Sequence, residues 1–162
     1  MAKAPDGYSR AQITLHWAVL VLIIFQQMGS GPMEQAWQDY VRGQGEVGGF
    51  QPHAMVGIVV LILVIWRLIL RLRRGVPEPA ASDSKYLDHA SRIIHGLIYI
   101  LLILIPVSGV SAWVFGVKAA GGVHGNLFGI LFLTIMVHTF AAIYHHYILR
   151  DKLLRRMMVP DK

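Results

Sequence analysis

The chain has 162 residues, the length of one domain, with 55% hydrophobic residues, a mean hydropathy of +0.52 and a formal net charge of +6. The apolar content is high for a soluble protein of this size and favours a membrane protein, in which basic residues mark topology and no nucleic-acid partner is needed. There is no cysteine, which excludes disulfides, thiol redox centres, cysteine-ligated iron–sulfur clusters and thioether-attached haem.

Four apolar stretches follow one another at about residues 11–28, 53–70, 93–115 and 124–149. Each is near the roughly 20 residues with which a helix crosses a bilayer, and none shows the two-residue alternation of a strand. The first contains His16, Gln26 and Gln27 and is not followed by a clean small-residue cleavage pattern, so we interpret it as a helix of the mature protein. The sequence therefore predicts an all-α fold, a single integral membrane four-helix bundle over residues 1–162.

Basic residues are concentrated at alternate ends of the predicted spans. Of the 15 lysines and arginines, only Arg42 and Lys118 fall in the connections that follow the first and third spans. The others are Lys3, Arg10, Arg67, Arg71, Arg73, Arg74, Lys85, Arg92, Arg150, Lys152, Arg155, Arg156 and Lys162. The positive-inside rule therefore predicts that both termini are cytoplasmic.

The outer connection between the first two spans, residues 29–52, is rich in glycine and polar residues. Its Trp37 and Phe50 suit the membrane interface, where aromatic residues are enriched. Arg42 and Lys118 are the only outer cations, and we expect them to steer an anion toward the outer side.

Histidines lie at two depths in these spans. His124 and His138 are 14 residues apart on the fourth span, which separates them by about 21 Å along the axis but only about 40° around it. His53 opens the second span at the outer side, and His16 lies near the inner end of the first. We therefore expect His53 to meet His124 at an outer level and His16 to meet His138 at an inner level.

Paired imidazoles on facing helices favour a b-type haem, whose iron takes one nitrogen from each side of a flat ring. A zinc ion would prefer several ligands at one point with a carboxylate or thiolate among them, and no predicted span contains an acidic residue. A packed or hydrogen-bonded imidazole would explain any one of these histidines alone. Four at matching depths favour two haems, because ionisable groups in a bilayer are costly and usually functional.

The chain resembles the bacterial cytochrome b-561 family of four-helix, di-haem membrane proteins, among which a superoxide oxidase reduces ubiquinone. The resemblance lies in ITLHW at 13–17, in the segments that begin at His53 and His95, and in HGNLFGILFLTIMVHTFAAIYHH at 124–146. It covers about residues 12–158. The connection at 116–123 is short, so the resemblance does not carry over a substrate site on the outer surface.

The resemblance implies that His16 and His138 are axial ligands of an inner haem, and that His53 and His124 are those of an outer haem. Arg67 lies 14 residues after His53, at the inner level, and we expect it to pair with a haem propionate because a lone buried charge is expensive. For Arg71, one turn further, a propionate and snorkelling to the inner headgroups remain equal alternatives.

Three further histidines are candidates for the quinone side. His95 also lies near the inner end of a span, where it competes with His16 as a ligand of the inner haem. We expect it instead to form a hydrogen bond with a propionate or a quinone. His145 and His89 are expected near the inner surface, where histidine can exchange protons with a quinone. Packing at the interface is the alternative for them, and His146 has no predicted role.

The resemblance thus implies an oxidoreductase of the bacterial inner membrane, in contact with lipid, that carries electrons from an outer donor, superoxide, to ubiquinone or menaquinone. The first alternative is an accessory cytochrome b subunit that passes electrons from a partner dehydrogenase to quinone. The second is a histidine-lined metal transporter, which the absence of acidic residues from the spans disfavours.

Overall fold

The computed structural model describes residues 5, 7–77, 85–151 and 153–160, with the side chain of Lys85 excepted. Lys3, Lys152 and Lys162, which entered the topology prediction, lie outside the described residues. Within that part of the chain, all regular secondary structure is helical. The helices are α1 (Arg10–Met28), α2 (Gly31–Val41), α3 (Pro52–Arg74), α4 (Lys85–Trp113), α5 (Lys118–Tyr144) and α6 (Leu153–Arg156), and a π-helical segment (His145–Leu149) continues α5.

Four helices are long and apolar enough to cross a membrane: α1, α3, α4, and α5 with its π-helical continuation. This confirms the predicted all-α four-helix architecture. Helices α4 and α5 begin at residues 85 and 118, earlier than the predicted 93 and 124. The prediction followed apolar composition, whereas the helical backbone continues into polar residues. Arg92 is a good helix former, and Asp88 lies in the first turn of α4, where an acidic side chain is favourable.

Helix α2 lies in the outer connection at residues 29–52, whose composition did not predict a helix. It begins with Pro32 at its first turn and has Glu34 there as well, both of which favour a helix amino end. Gln38 Nε2 donates to Glu34 Oε1 at 2.8 Å one turn earlier, and Gly43 follows the helix with a φ of 75°. We call the end of the bundle that carries α2 the outer end, after the predicted topology.

Helix α1 is fixed to α3 at both of its ends. Ser9 caps α1 through a reciprocal pair of hydrogen bonds with Gln12, and Gln12 Nε2 donates to the Gly75 carbonyl at 3.1 Å, just past the inner end of α3. At the outer end, Gln26 Nε2 donates to the His53 carbonyl at 2.9 Å. Gln12 and Gln26 therefore set the register of the two helices.

A buried cluster of aliphatic side chains joins the four spans halfway along the bundle. Its members are Val19, Val60, Val64, Leu101, Leu102, Ile105 and Leu131. Leu131 lies seven residues from both His124 and His138, so this cluster separates the two histidine levels. Most other apolar side chains face outward, as in Phe140, which is 67% exposed, and this distribution suits a lipid environment.

Candidate functional site

The structure brings the histidines together as two pairs. The rings of His53 on α3 and His124 on α5 have centroids 6.1 Å apart, and those of His16 on α1 and His138 on α5 have centroids 6.4 Å apart. Within each pair the ring planes are inclined by 70°. Each pair lines a cavity, and the aliphatic cluster lies between the two cavities.

The outer cavity has a volume of about 420 Å³ and holds His53 and His124. Its other walls are mostly apolar and come from all four spans and from α2. This volume is within the roughly 300–1,000 Å³ of pockets that hold organic ligands and cofactors.

His124 is held by a backbone carbonyl. Its Nδ1–H donates to the Ile105 carbonyl on α4 at 2.8 Å, and because a carbonyl can only accept, Nε2 keeps a free lone pair. A Cβ atom at Gly109 would lie 3.0 Å from His124 Nδ1, so the absence of a side chain there makes room for the ring. Histidines that bind metals commonly donate their second nitrogen to a carbonyl or carboxylate in this way.

His53 contributes a buried ring nitrogen. Its Nδ1 has no hydrogen-bond partner among the described residues, although leaving a buried polar atom unpaired is costly. Gly57, one turn later, faces Gln26, whose Nε2 would lie 3.3 Å from a Cβ atom at residue 57. At Gly57, close helix packing therefore explains the missing side chain.

The inner cavity, of about 170 Å³, is lined by His16 and His138 together with Arg67, His95 and Tyr99. Arg67 Nη1 donates to His16 Nδ1 at 2.7 Å. Since arginine can only donate, the neutral His16 ring then carries its proton on Nε2. The guanidinium of Arg67 thus lies at the inner histidine level.

Tyr99 is close to two arginines. The guanidinium carbons of Arg67 and Arg71 are 5.8 and 5.7 Å from the centroid of its ring, within the range of cation–π attraction. Arg71 therefore contacts a side chain of the bundle and does not only extend toward headgroups. Tyr99 was not identified from the sequence, because one tyrosine on an apolar helix has no distinguishing pattern.

His95 is a third imidazole at the inner level. Its Nδ1–H donates to the Ser91 carbonyl at 2.6 Å, which leaves Nε2 free, and its centroid is 5.1 Å from that of His138. The hydrogen bonds of His95 thus match those of a metal ligand better than the bonds of His16 do. The centroid distances to His138 instead favour His16 as the ligand.

The two paired distances can be compared with those of a metal held between two imidazoles. If two imidazoles held one metal ion, two bonds of about 2 Å and the distance from each nitrogen to its ring centroid would separate the centroids by about 6 Å. The 6.1 and 6.4 Å separations match this value, whereas 5.1 Å between His95 and His138 is short. No group of three or more histidine, aspartate or glutamate side chains suited to a metal ion occurs among the described residues, and each pair supplies two imidazoles.

The remaining candidates lie elsewhere. His145 Nδ1 contacts Asp151 Oδ2 at 2.5 Å, and His89 is exposed on the first turns of α4; neither lines the two cavities described above. His146 Nδ1 is buried without a partner among the residues described. Asp151 was missed because its carboxylate meets His145 only through the turn after the π-helical segment, where Arg150 has a φ of 57°.

Lys118, expected to steer an anion, is engaged in a structural contact. Its Nζ donates to the Val41 carbonyl at the end of α2 at 3.1 Å and lies 5.3 Å from the centroid of the Tyr40 ring. The ammonium therefore stabilises the carboxyl end of a helix, where positive charge is favourable.

Comparison with known proteins shows similarity over nearly the whole chain. The sequence profile of a family described as prokaryotic cytochrome b561 matches residues 7–159. Cytochrome b562 of Cereibacter sphaeroides is 38% identical over 162 residues, covering 99% of each chain. A probable superoxide oxidase of Yersinia pestis, CybB, is 29% identical over 186 residues, covering 96% of this chain and 97% of that one. Cytochrome b561 homolog 1 of Escherichia coli is 25% identical over 180 residues, covering 97% and 99%.

Proposed function

Because the chain belongs to the prokaryotic cytochrome b561 family, we propose that it carries electrons from superoxide, oxidised at the outer side of a bacterial inner membrane, to ubiquinone. Membership makes it a multi-pass membrane electron-transfer protein and implies a b-type haem. The number of haems, the donor and the acceptor belong to the proposal.

The observation that carries the proposal is the pair of centroid distances, 6.1 Å for His53 with His124 and 6.4 Å for His16 with His138. We assign His53 and His124 to an outer haem and His16 and His138 to an inner one. A haem, when bound, supplies an iron that accepts and releases single electrons.

The chain's own groups prepare both levels for that cofactor. The Ile105 carbonyl keeps the proton of His124 on Nδ1 and leaves Nε2 free on a residue that lines the outer cavity. At the inner level, a haem carboxylate would attract Arg67 away from His16. The His16 proton could then move to Nδ1 and free Nε2 for the iron. Arg71, near the same tyrosine, is assigned to the same carboxylates.

The acceptor side is proposed at the inner end. Ubiquinone takes up two electrons and two protons, and two superoxide anions supply the electrons as each becomes dioxygen. His95 in the inner cavity, with its Nε2 free of the Ser91 bond, is the best placed of the quinone candidates. His145 and His89 are assigned to proton exchange with the cytoplasm. Menaquinone, as an alternative acceptor, would also take up two electrons and two protons.

Superoxide as donor is supported by the name of the Yersinia pestis relative, a probable superoxide oxidase. The Cereibacter sphaeroides relative has a higher identity and is named only as a cytochrome. An accessory cytochrome that serves a dehydrogenase is therefore the outcome to be separated by experiment.

The test uses the purified protein in lipid nanodiscs with ubiquinone-1. Enzymatically generated superoxide should disappear with formation of one ubiquinol per two superoxide anions, and reduced b-type bands should be visible. His124→Ala should keep the absorption bands of one haem and lose superoxide-dependent ubiquinol formation. Ser111→Ala is the matched control, because its exposed hydroxyl forms a hydrogen bond within its own helix. Haem bands without superoxide-dependent ubiquinol would contradict the donor and favour the accessory role.

A further inference from the structure

Helix α2 is seated on the bundle through Trp37. A Cβ atom added at Gly121, near the start of α5, would lie 2.2 Å from Cζ2 and 2.6 Å from Cε2 of Trp37. These distances are far below the roughly 3.5–4.0 Å of favourable carbon contacts. The indole therefore occupies the space in which any residue other than glycine would carry its side chain.

Three hydrogen bonds hold the segment around Trp37 in place. They are Tyr40 Oη to the Gly116 carbonyl at 2.9 Å, Lys118 Nζ to the Val41 carbonyl at 3.1 Å, and Trp113 Nε1 to the Gly49 carbonyl at 2.8 Å. Gly116 has a φ of 67°, and a Cβ atom there would lie 2.7 Å from Tyr40 Oη. The connection between α4 and α5 thus receives Tyr40 at Gly116, and the first turn of α5 receives Trp37 at Gly121.

The seated segment forms a wall of the outer cavity. Met33, Glu34 and Trp37 of α2 line it, together with Gly48 and Gly49 of the following loop. The same cavity is lined by His53, His124 and Gly121. Trp37 and Gly121 therefore meet at the wall that α2 places over the two histidines.

Helix α2 is less deeply packed than the spans. It contains no buried residue, and the indole seat and the hydrogen bonds named above are among the contacts that hold it. Segments with little buried apolar area open more readily than the core. The position of Trp37 is consequently decided by its fit against Gly121.

We infer that Trp37, seated on Gly121, is a specificity-determining residue that closes the outer cavity to all but small electron donors. The inference rests on the proposed function, because it assumes that the outer cavity holds the redox group. A donor of two or three heavy atoms passes between α2 and the spans. A large planar organic donor needs the space that the indole occupies.

The first test compares how fast the outer haem of the purified protein is reduced by a small and a large donor. Dithionite supplies a small anion, and photoreduced flavin mononucleotide is the large donor. Trp37→Ala should raise the ratio of the flavin rate to the dithionite rate by at least tenfold, because the cavity opens. An unchanged ratio in a variant with normal haem content would overturn the inference.

A double variant separates the Trp37 contact from general damage. Gly121→Ala should raise the same ratio, because its methyl group expels the indole. In the Trp37→Ala background, Gly121→Ala should have no further effect, since the methyl then enters free space. Gly122→Ala is the matched control, because no atom lies within 4 Å of its added Cβ. Equal effects of the two glycine variants would contradict the inference that the contact of Trp37 with Gly121 controls access.

A second measurement does not depend on haem reduction. The chain has no cysteine, so Ala112→Cys, at a cavity-lining residue that is 5% exposed, introduces a single thiol. Its reaction with a fluorescein maleimide should be at least tenfold faster when Trp37→Ala is added, whereas equal rates would reject closure. If closure is observed but superoxide is not consumed, the proposed donor fails and the inference about access stands.

Discussion

The proposed choice of His16 over His95 as a haem ligand rests on single atoms. Both rings lie within contact distance of His138, at centroid separations of 6.4 and 5.1 Å. His16 accepts a hydrogen bond from Arg67, while His95 donates to a backbone carbonyl. The centroid distance supports the proposal that His16 pairs with His138. The hydrogen bond from Arg67 to His16 does not oppose it, because an arginine binds an anionic carboxylate more strongly than a neutral imidazole and would exchange one for the other.

Replacement of each histidine separates the two assignments. We expect His16→Ala to lose the inner haem and keep the outer one, because one imidazole of the ligand pair is removed. His95→Ala should keep both haems and slow ubiquinol formation at least tenfold, since proton transfer by a positioned side chain contributes about 10²–10⁴-fold. The haem-to-protein ratio and the redox titration of each variant provide the measurement. Loss of a haem from His95→Ala but not from His16→Ala would reverse the assignment.

Contact between α4 and α5 at the outer level depends on a missing side chain. Gly109 lies one turn after Ile105 and faces His124, and a methyl group there would lie 3.0 and 3.1 Å from two ring atoms. The same two helices are thereby close enough for His124 to reach the Ile105 carbonyl. Small residues at helix contacts in membranes permit such approach, where packing and hydrogen bonds replace the hydrophobic effect.

Gly109→Ala should therefore weaken the outer haem site selectively. Overpacking of this kind costs about 1–3 kcal/mol, because the imidazole or the helix must shift by a few tenths of an ångström. We expect partial loss or a shifted potential of one haem in a redox titration, with the other unchanged. Gly96→Ala on the same helix, where nothing lies within 4 Å, should leave both haems intact. Equal behaviour of the two variants would show that the contact does not restrain His124.

The whole molecule presents an apolar belt between ends of different composition. Four spans carry exposed aliphatic and aromatic residues along their length, and the buried aliphatic cluster lies between the two cavities. In the part of the chain that the structure describes, the basic residues other than Arg42 and Lys118 fall at one end of the spans. Lipid therefore has to cover most of the surface, and the basic end is expected to face the cytoplasm.

Reporter fusions test this orientation. Green fluorescent protein fused after residue 162 should fluoresce, because it folds in the cytoplasm, and alkaline phosphatase at the same position should be inactive. Phosphatase fused after Gly49, in the segment between α2 and α3, should be active, because that segment is expected outside. The opposite pattern at both positions would invert the topology and with it the assignment of the donor and quinone sides.

The sequence by itself determined the four spans and the depth of the histidines, because hydropathy and the 3.6-residue helical repeat are local properties. The 14-residue interval in the fourth span was enough to predict that two levels exist. The equal interval from His53 to Arg67 in the second span indicated that Arg67 belongs to the inner level. Composition did not indicate α2, whose signals, Pro32 and Glu34, occur among glycines and polar residues typical of loops.

Only the tertiary structure decided which groups touch across helices. The seat of Trp37 on Gly121, the room that Gly109 leaves for His124, and the bond between His145 and Asp151 each join residues whose meeting depends on helix approach and chain reversal. No periodicity along one segment records such contacts. They arise because packed side chains occupy fixed volumes, so a glycine on one element can define the position of an aromatic ring on another.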